Sequence, residues 1–151
     1  MNQDTADKFF MALCDTIKLQ SKDPSTQTAC VIVGPNQEVR SIGYNGIPRG
    51  VMDLPKRFER PIKYKWVEHC ERNAIYNAAR VGIPVDDCTM YIMWYPCADC
   101  ARAIIQSGIS TLVVPAGSRE IGKERWGDDF AVAEVMFAEA GTTVREVGEP
   151  L

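Results

Sequence analysis

The sequence has a single histidine among 151 residues, His69, so any chemistry that needs an imidazole must pass through one position. It has no apolar run approaching the length of a membrane span, and its first residues show no signal-type cleavage pattern. These absences exclude a membrane-spanning helical class and set the expectation of a soluble, cytoplasmic protein. Positive charge is not in excess either. The formal charge of -3 argues against a surface built to grip long nucleic acid, although a local basic patch can still bind phosphate. Internal repeats and low-complexity tracts are absent as well. Cysteine, by contrast, is plentiful, with six residues. A chain of this length that is 46% hydrophobic builds a core without disulfides, so Cys14, Cys30, Cys70 and Cys88 read as reduced, small, partly buried side chains. Cys97 and Cys100 form a metal-type C-x-x-C. Length and composition predict one globular domain over residues 1–151.

Periodicity divides the chain into alternating elements. Phe9, Phe10, Leu13 and Ile17 predict an amphipathic helix over 5–20. A polar loop follows at 21–26, then a β-hairpin of 28–33 and 39–44 around Gly34-Pro35-Asn36-Gln37. Residues 46–65 show no periodicity, and a loop of about twenty residues in a compact domain is usually functional or disordered. From Arg49 to Lys65 this loop carries six basic residues against two acidic ones. It reads either as a solvated surface or as an anion-binding lid. A helix over 67–81 should bury Ala74, Ile75, Ala78 and Ala79, with Gly82 and Pro84 ending it. A strand at 89–94, a helix at 96–107, a strand at 111–114 and a loop at 115–118 come next. A helix over 129–140 shows Val132, Val135, Met136 and Ala140 at helical spacing, and a strand at 143–147 closes the chain. Strands alternating with helices predict an α/β fold with three layers, α/β/α, and right-handed crossovers.

Two stretches carry the chemistry, His69-Cys70-Glu71 and Pro96-Cys97-Ala98-Asp99-Cys100. One imidazole and two thiolates make a frequent zinc ligand set, and three protein ligands leave a fourth position open for water. Both stretches fall at expected helix starts, where unpaired N–H groups favour thiolate over thiol. Glu71 sits two residues from the proposed ligand His69, within reach of the protons of a zinc-bound water. H-x-E followed by P-C-x-x-C is the known signature of zinc-dependent nucleobase deaminases. In that reading zinc lowers the pKa of its water, Glu71 accepts a proton, and attack on the ring carbon releases ammonia. A structural zinc module would need a fourth protein ligand, for which Cys88 is the only spare. A redox C-x-x-C would have no use for Glu71.

The chain resembles the deoxycytidylate (dCMP) deaminases of the cytidine deaminase superfamily from Ser21 to Val147. Beyond the zinc motifs, the resemblance rests on Ser21-Lys22-Asp23-Pro24-Ser25-Thr26, on Gly43-Tyr44-Asn45-Gly46-Ile47-Pro48-Arg49-Gly50, and on Ala101-Arg102-Ala103-Ile104-Ile105-Gln106-Ser107-Gly108. It implies a cytidine deaminase-like fold with a five-stranded mixed sheet in the order 2-1-3-4-5 and helices on both faces. It implies conversion of dCMP to dUMP with one Zn2+ per subunit held by His69, Cys97 and Cys100, and Glu71 as the catalytic residue. Ser21, Lys22, Thr26, Asn45, Cys70 and Tyr95 are the candidate substrate contacts. Tyr44, Gly46, Arg49, Lys56, Arg57 and Arg60 form a candidate phosphate or effector group, where dCTP or dTTP would bind, with Mg2+ accompanying the triphosphate. A homo-oligomer, with a hexamer favoured, is also implied.

Two departures stand out. Cys70 occupies a position where the family more often has Ala, and Trp94-Tyr95 replaces smaller residues; Trp94 either stacks on a base or belongs to the sheet core. Deamination of cytidine, of another cytosine nucleotide, of a modified pyrimidine, or of adenine in RNA is the alternative within the same chemistry.

Overall fold

Five short β-prone runs pair in the order β2-β1-β3-β4-β5 in the computed structural model, which describes residues 1–148. The last three positions of the expected 1–151 domain lie outside the described residues. The elements are α1 Gln3–Ile17, β1 Ala29–Val33, β2 Val39–Tyr44, α2 Lys63–Trp66, α3 Cys70–Val81, β3 Thr89–Ile92, α4 Ala98–Gln106, β4 Thr111–Pro115, α5 Ser118–Ile121, α6 Lys123–Ala140 and β5 Thr143–Val147. β1 is antiparallel to both β2 and β3, whereas β3, β4 and β5 run parallel, so the sheet is mixed as expected. No helix among the described residues is long and apolar enough to cross a membrane.

β1 lies between two other strands and every residue in it is buried. Alternation then sends its side chains into two cores. Cys30 and Ile32 join Met90, Ile92, Leu112 and Val114 beneath α3, α4 and α6, while Ala29, Val31 and Val33 join Tyr91 and Val113 beneath α1. This is the expected three-layer α/β/α arrangement. All six cysteines are free and buried.

α3 lies close against β2. Ser41 donates its hydroxyl to the Ala74 carbonyl at 2.6 Å. At Gly43 a Cβ atom would sit 2.3 Å from the Cys70 carbonyl oxygen and 2.4 Å from the Ala74 nitrogen, so only glycine permits this approach. The helix stops at Gly82, whose φ of 75° is the left-handed C-terminal conformation that glycine adopts without a Cβ penalty.

Several expected faces differ. In α1 the core takes Ala6, Phe10, Cys14 and Ile17, leaving Phe9 53% exposed. In α3 Ala79 is exposed. In α6 the buried residues are Phe130, Ala133 and Phe137, while Val132 and Val135 face outward. That helix carries two apolar stripes, and the one with the two phenylalanines removes more area from water. α6 also starts six residues before the expected position, and α5 replaces part of what reads as a loop. The basic loop is pinned at both ends by a two-bond bridge between Gly46 and Glu68. It contains a 3-10 turn at Pro55–Phe58 and then α2.

Candidate active site

Packing of α3 beside α4 brings two helix starts together. His69 is the N-cap of α3 and Cys97 the N-cap of α4, each in extended conformation and neither using its side chain to cap its own helix. Both side chains are therefore free to face a common point, and Cys100, one turn into α4, joins them. His69 Nδ1 lies 3.5 Å from Cys97 Sγ and 3.4 Å from Cys100 Sγ. The three ligand atoms lie within 4.8 Å of one another. Ideal zinc bond lengths in a tetrahedron place nitrogen and sulfur about 3.6 Å apart. The donor set and its spacing fit zinc.

The charges suit such a cation. Cys97 is lowered to about 5, mainly because it accepts a hydrogen bond from the Cys100 thiol, and also because His69 is adjacent. Cys100, the donor of that pair, is pushed the other way, first by the same bond and then by burial. Burial works against a charged His69, but Cys97 and Glu71 outweigh it and raise its pKa. Arg72 sits just outside, 2.6 Å from Glu68, and a partner carboxylate and the Cys100 sulfur keep its guanidinium charged despite burial.

Glu71 is 8% exposed and shares a cavity of about 670 Å³ with His69 and Cys97. The Cys70 thiol donates to Glu71 Oε1 at 2.7 Å, and the Cys30 thiol donates to the Cys70 carbonyl at 3.1 Å. Burial, above all, raises the Cys70 pKa, so this thiol keeps its proton as a donor.

Among the sequence candidates, Thr26, Asn45, Cys70, Tyr95 and Arg60 line this same cavity. Asn45 is a latch as well as a lining residue. Its Oδ1 accepts from the Thr28 amide at 2.9 Å and its Nδ2 donates to the Thr26 carbonyl at 2.8 Å. Ser21 faces inward and donates to the Asn45 carbonyl at 2.9 Å, outside the cavity lining. Lys22 lines a neighbouring depression of about 300 Å³ with Tyr44, Gly46 and Arg49, and pairs with Asp53 at 2.7 Å. Lys56 and Arg57 line neither space; the Arg57 guanidinium stacks over Trp66 at 3.9 Å. Trp94 lies past the end of β3, 40% exposed in the cavity wall, which removes it from the sheet core.

Sequence reading missed the part of the cavity wall that α6 supplies. Arg125 and Trp126 come from the first turn of α6, ahead of the helix start expected at 129, and Phe130 from the turn after it. Trp126 meets both Tyr64 and His69 edge-on, with ring centroids 5.7 Å and 6.3 Å apart. Phe130 meets Tyr95 at 5.1 Å. Lys63 was legible only as one basic residue of six, yet it lies buried in the cavity wall against Asp23.

Comparison with known proteins agrees with this geometry. Over residues 4–116 the chain matches the model of the cytidine and deoxycytidylate deaminase zinc-binding region. An uncharacterized deaminase of the luxG 3′ region in Aliivibrio fischeri is 39% identical over 137 residues, covering 91% of this chain and 90% of that protein. Human deoxycytidylate deaminase is 35% identical over 145 residues, 92% of this chain and 78% of that one. A crystal structure of dCMP deaminase from the cyanophage S-TIM5 in complex with dCMP and dUMP superimposes with a TM-score of 0.75, covering 97% of this chain and 99% of that chain at 19% identity. The metal-type cluster, the carboxylate beside it and these matches place the chain in the cytidine and deoxycytidylate deaminase family.

Proposed function

We propose that this protein deaminates dCMP to dUMP and ammonia, with zinc held by His69, Cys97 and Cys100 and with Glu71 carrying the protons. One observation carries the reading: His69, Cys97 and Glu71 line one cavity, with Cys100 clustered behind them, and its other walls bring hydroxyl, amide and cationic groups of a kind that suits a nucleotide. Zinc bound there supplies a Lewis acid that lowers the pKa of a water. Glu71 would accept a proton from the water that adds to C4 of the pyrimidine. The proton passes to N3, and a second transfer through Glu71 lets the amino group leave as ammonia. A positioned acid–base group of this kind contributes about 10²- to 10⁴-fold in rate. Cys70 holds one Glu71 oxygen, which leaves the other for proton transfer.

Asn45 fixes the rim facing the sugar. Arg60 and Arg125 in the cavity wall, with the Thr26 hydroxyl beside Arg60, supply the charge for a 5′-phosphate. Aromatic Trp94, Tyr95 and Trp126 give the base an apolar, stackable surround. The names borne by the human and cyanophage relatives support the same substrate. The neighbouring depression at Lys22, Tyr44, Gly46 and Arg49 suits a dCTP or dTTP effector with Mg2+ in a cytoplasmic homo-oligomer, with a hexamer favoured.

The test is ammonia release from dCMP, CMP, dCTP, cytidine, deoxycytidine and an adenosine-containing RNA hairpin by the zinc-loaded protein. The expected order puts dCMP first, with kcat/KM at least about tenfold above deoxycytidine, since each tenfold needs only about 1.4 kcal/mol from the phosphate contacts. Release from no cytosine compound would sink the reading, and a faster deoxycytidine would move the substrate to the nucleoside.

A further inference from the structure

α4 begins at a residue that does not cap it. Helix starts usually recruit an oxygen from Ser, Thr, Asp or Asn at the N-cap to satisfy a first-turn N–H. Here the N-cap is Cys97, whose sulfur lies 3.5 Å from His69 and makes no capping bond. The oxygen arrives from another helix. Asp129, 31 positions later on α6, accepts the Ala98 N–H through Oδ2 at 3.0 Å.

Asp129 is well placed to transmit position. The next residue, Phe130, is 4% exposed and anchored in the core against Tyr95. Trp126, one turn earlier, meets the edge of the His69 ring. A single carboxylate thus joins the first turn of α4, which carries both sulfurs, to the cavity wall that α6 provides.

We propose that Asp129 is a positioning residue for the Cys97 and Cys100 sulfurs, acting through the Ala98 N–H. It supplies the cap that Cys97 gives up by turning toward the metal cluster, and so holds the two sulfurs at the spacing that one ion requires. The assignment rests on the zinc reading of the site. Groups that support metal ligands from outside the coordination sphere typically change metal affinity by about 10- to 100-fold when removed.

The experiment follows zinc release to a coloured chelator, well below the unfolding temperature, in the parent, Asp129→Ala, Asp129→Asn and Asp128→Ala. Asp129→Ala should release zinc about tenfold faster or more. Asp129→Asn, whose amide oxygen still accepts from Ala98, should stay within about threefold of the parent, because caps of Asp and Asn are nearly equivalent. Asp128→Ala, exposed and one residue away, should release zinc at the parent rate. Hydrogen exchange of the Ala98 amide in the parent supplies a readout that needs no variant, and that amide should be protected.

Parent-like release from Asp129→Ala, release from Asp129→Asn as fast as from Asp129→Ala, or an unprotected Ala98 amide would each overturn the assignment while leaving the zinc reading standing. A parent protein that takes up no zinc would overturn both.

Discussion

Asp23 has no exposed side-chain surface, and five donors converge on its carboxylate. Lys63 Nζ stands at 2.7 Å, the Ser25 amide and hydroxyl at 2.9 and 3.0 Å, the Thr26 amide at 3.1 Å and Asn45 Nδ2 at 3.5 Å. Burial alone would raise its pKa, but the Lys63 ammonium and the Ser25 and Thr26 donors outweigh burial and hold it below its ordinary value. A carboxylate depressed in the folded state adds stability above its unfolded pKa of about 3.9, and that stability is lost as pH falls through the lower folded value. Removing Lys63 leaves a buried charge unpaired, so Lys63→Met should cost about 3 kcal/mol or more at pH 7. Urea unfolding across pH should show the gap to the parent narrowing as pH falls toward the lowered folded value of the parent, because Asp23 without Lys63 takes up its proton at a higher pH than Asp23 in the parent. A gap that stays constant would remove this pair from the acid dependence. None of this was legible in the sequence, because Lys63 and Asp23 lie 40 positions apart with no local pattern linking them. Cys97 with Cys100 was legible for the opposite reason, since three-residue spacing at a helix start lets the two sulfurs meet, and His69 with Glu71 was legible as a local motif.

Elements were read best where one periodicity stood unopposed. β2 and β5 begin and end where the β-prone runs between turn and helix-stop signals place them, at Val39–Tyr44 and Thr143–Val147. α6 carries competing stripes, and the choice between them depends on a tertiary partner that no local window contains. Its first turns build the cavity wall with Trp126 and Phe130, which also pack on the core cluster beneath the helix. The contact of β2 with α3 is where one element most directly sets the chemistry of another, since α3 carries Glu71 in its first turn. Gly43→Ala would drive a methyl group into the backbone of Cys70 and Ala74. Overpacking of this kind costs about 1–3 kcal/mol, and here the displaced atoms are backbone, so the upper end is expected together with a loss of turnover. Gly127→Ala is the matched comparison. Its new Cβ meets nothing nearer than Lys123 Cγ at 3.6 Å, within a helix, and it should leave stability unchanged or raise it by about 0.4–1 kcal/mol. Thermal unfolding of the two variants separates the close approach from a general glycine effect; equal melting temperatures would contradict it.

At the scale of the whole molecule, alternating strands and helices made the α/β class legible, while the strand order came only through the family resemblance. What composition left open was how distant segments close on one another. Asp7 of α1 receives Arg145 of β5 at 2.8 Å and the Tyr91 hydroxyl at 2.8 Å, tying the first helix to the last strand across the sheet. On the opposite face, α3, α4 and α6 bring His69, Cys97, Glu71 and an aromatic wall into one cavity whose lining is spread over residues 26–130. The fold therefore brings two helix starts that carry a metal-type His/Cys/Cys cluster beside one buried carboxylate, Glu71. The most direct test compares Glu71→Gln with the parent at matched zinc content, following the rate of dUMP formation from dCMP. The zinc content should be equal and the rate should fall by about 10²-fold or more, the usual size of a lost acid–base group. A Glu71→Gln protein that holds zinc and turns over dCMP within about threefold of the parent would contradict the account, since no general acid–base role is that small.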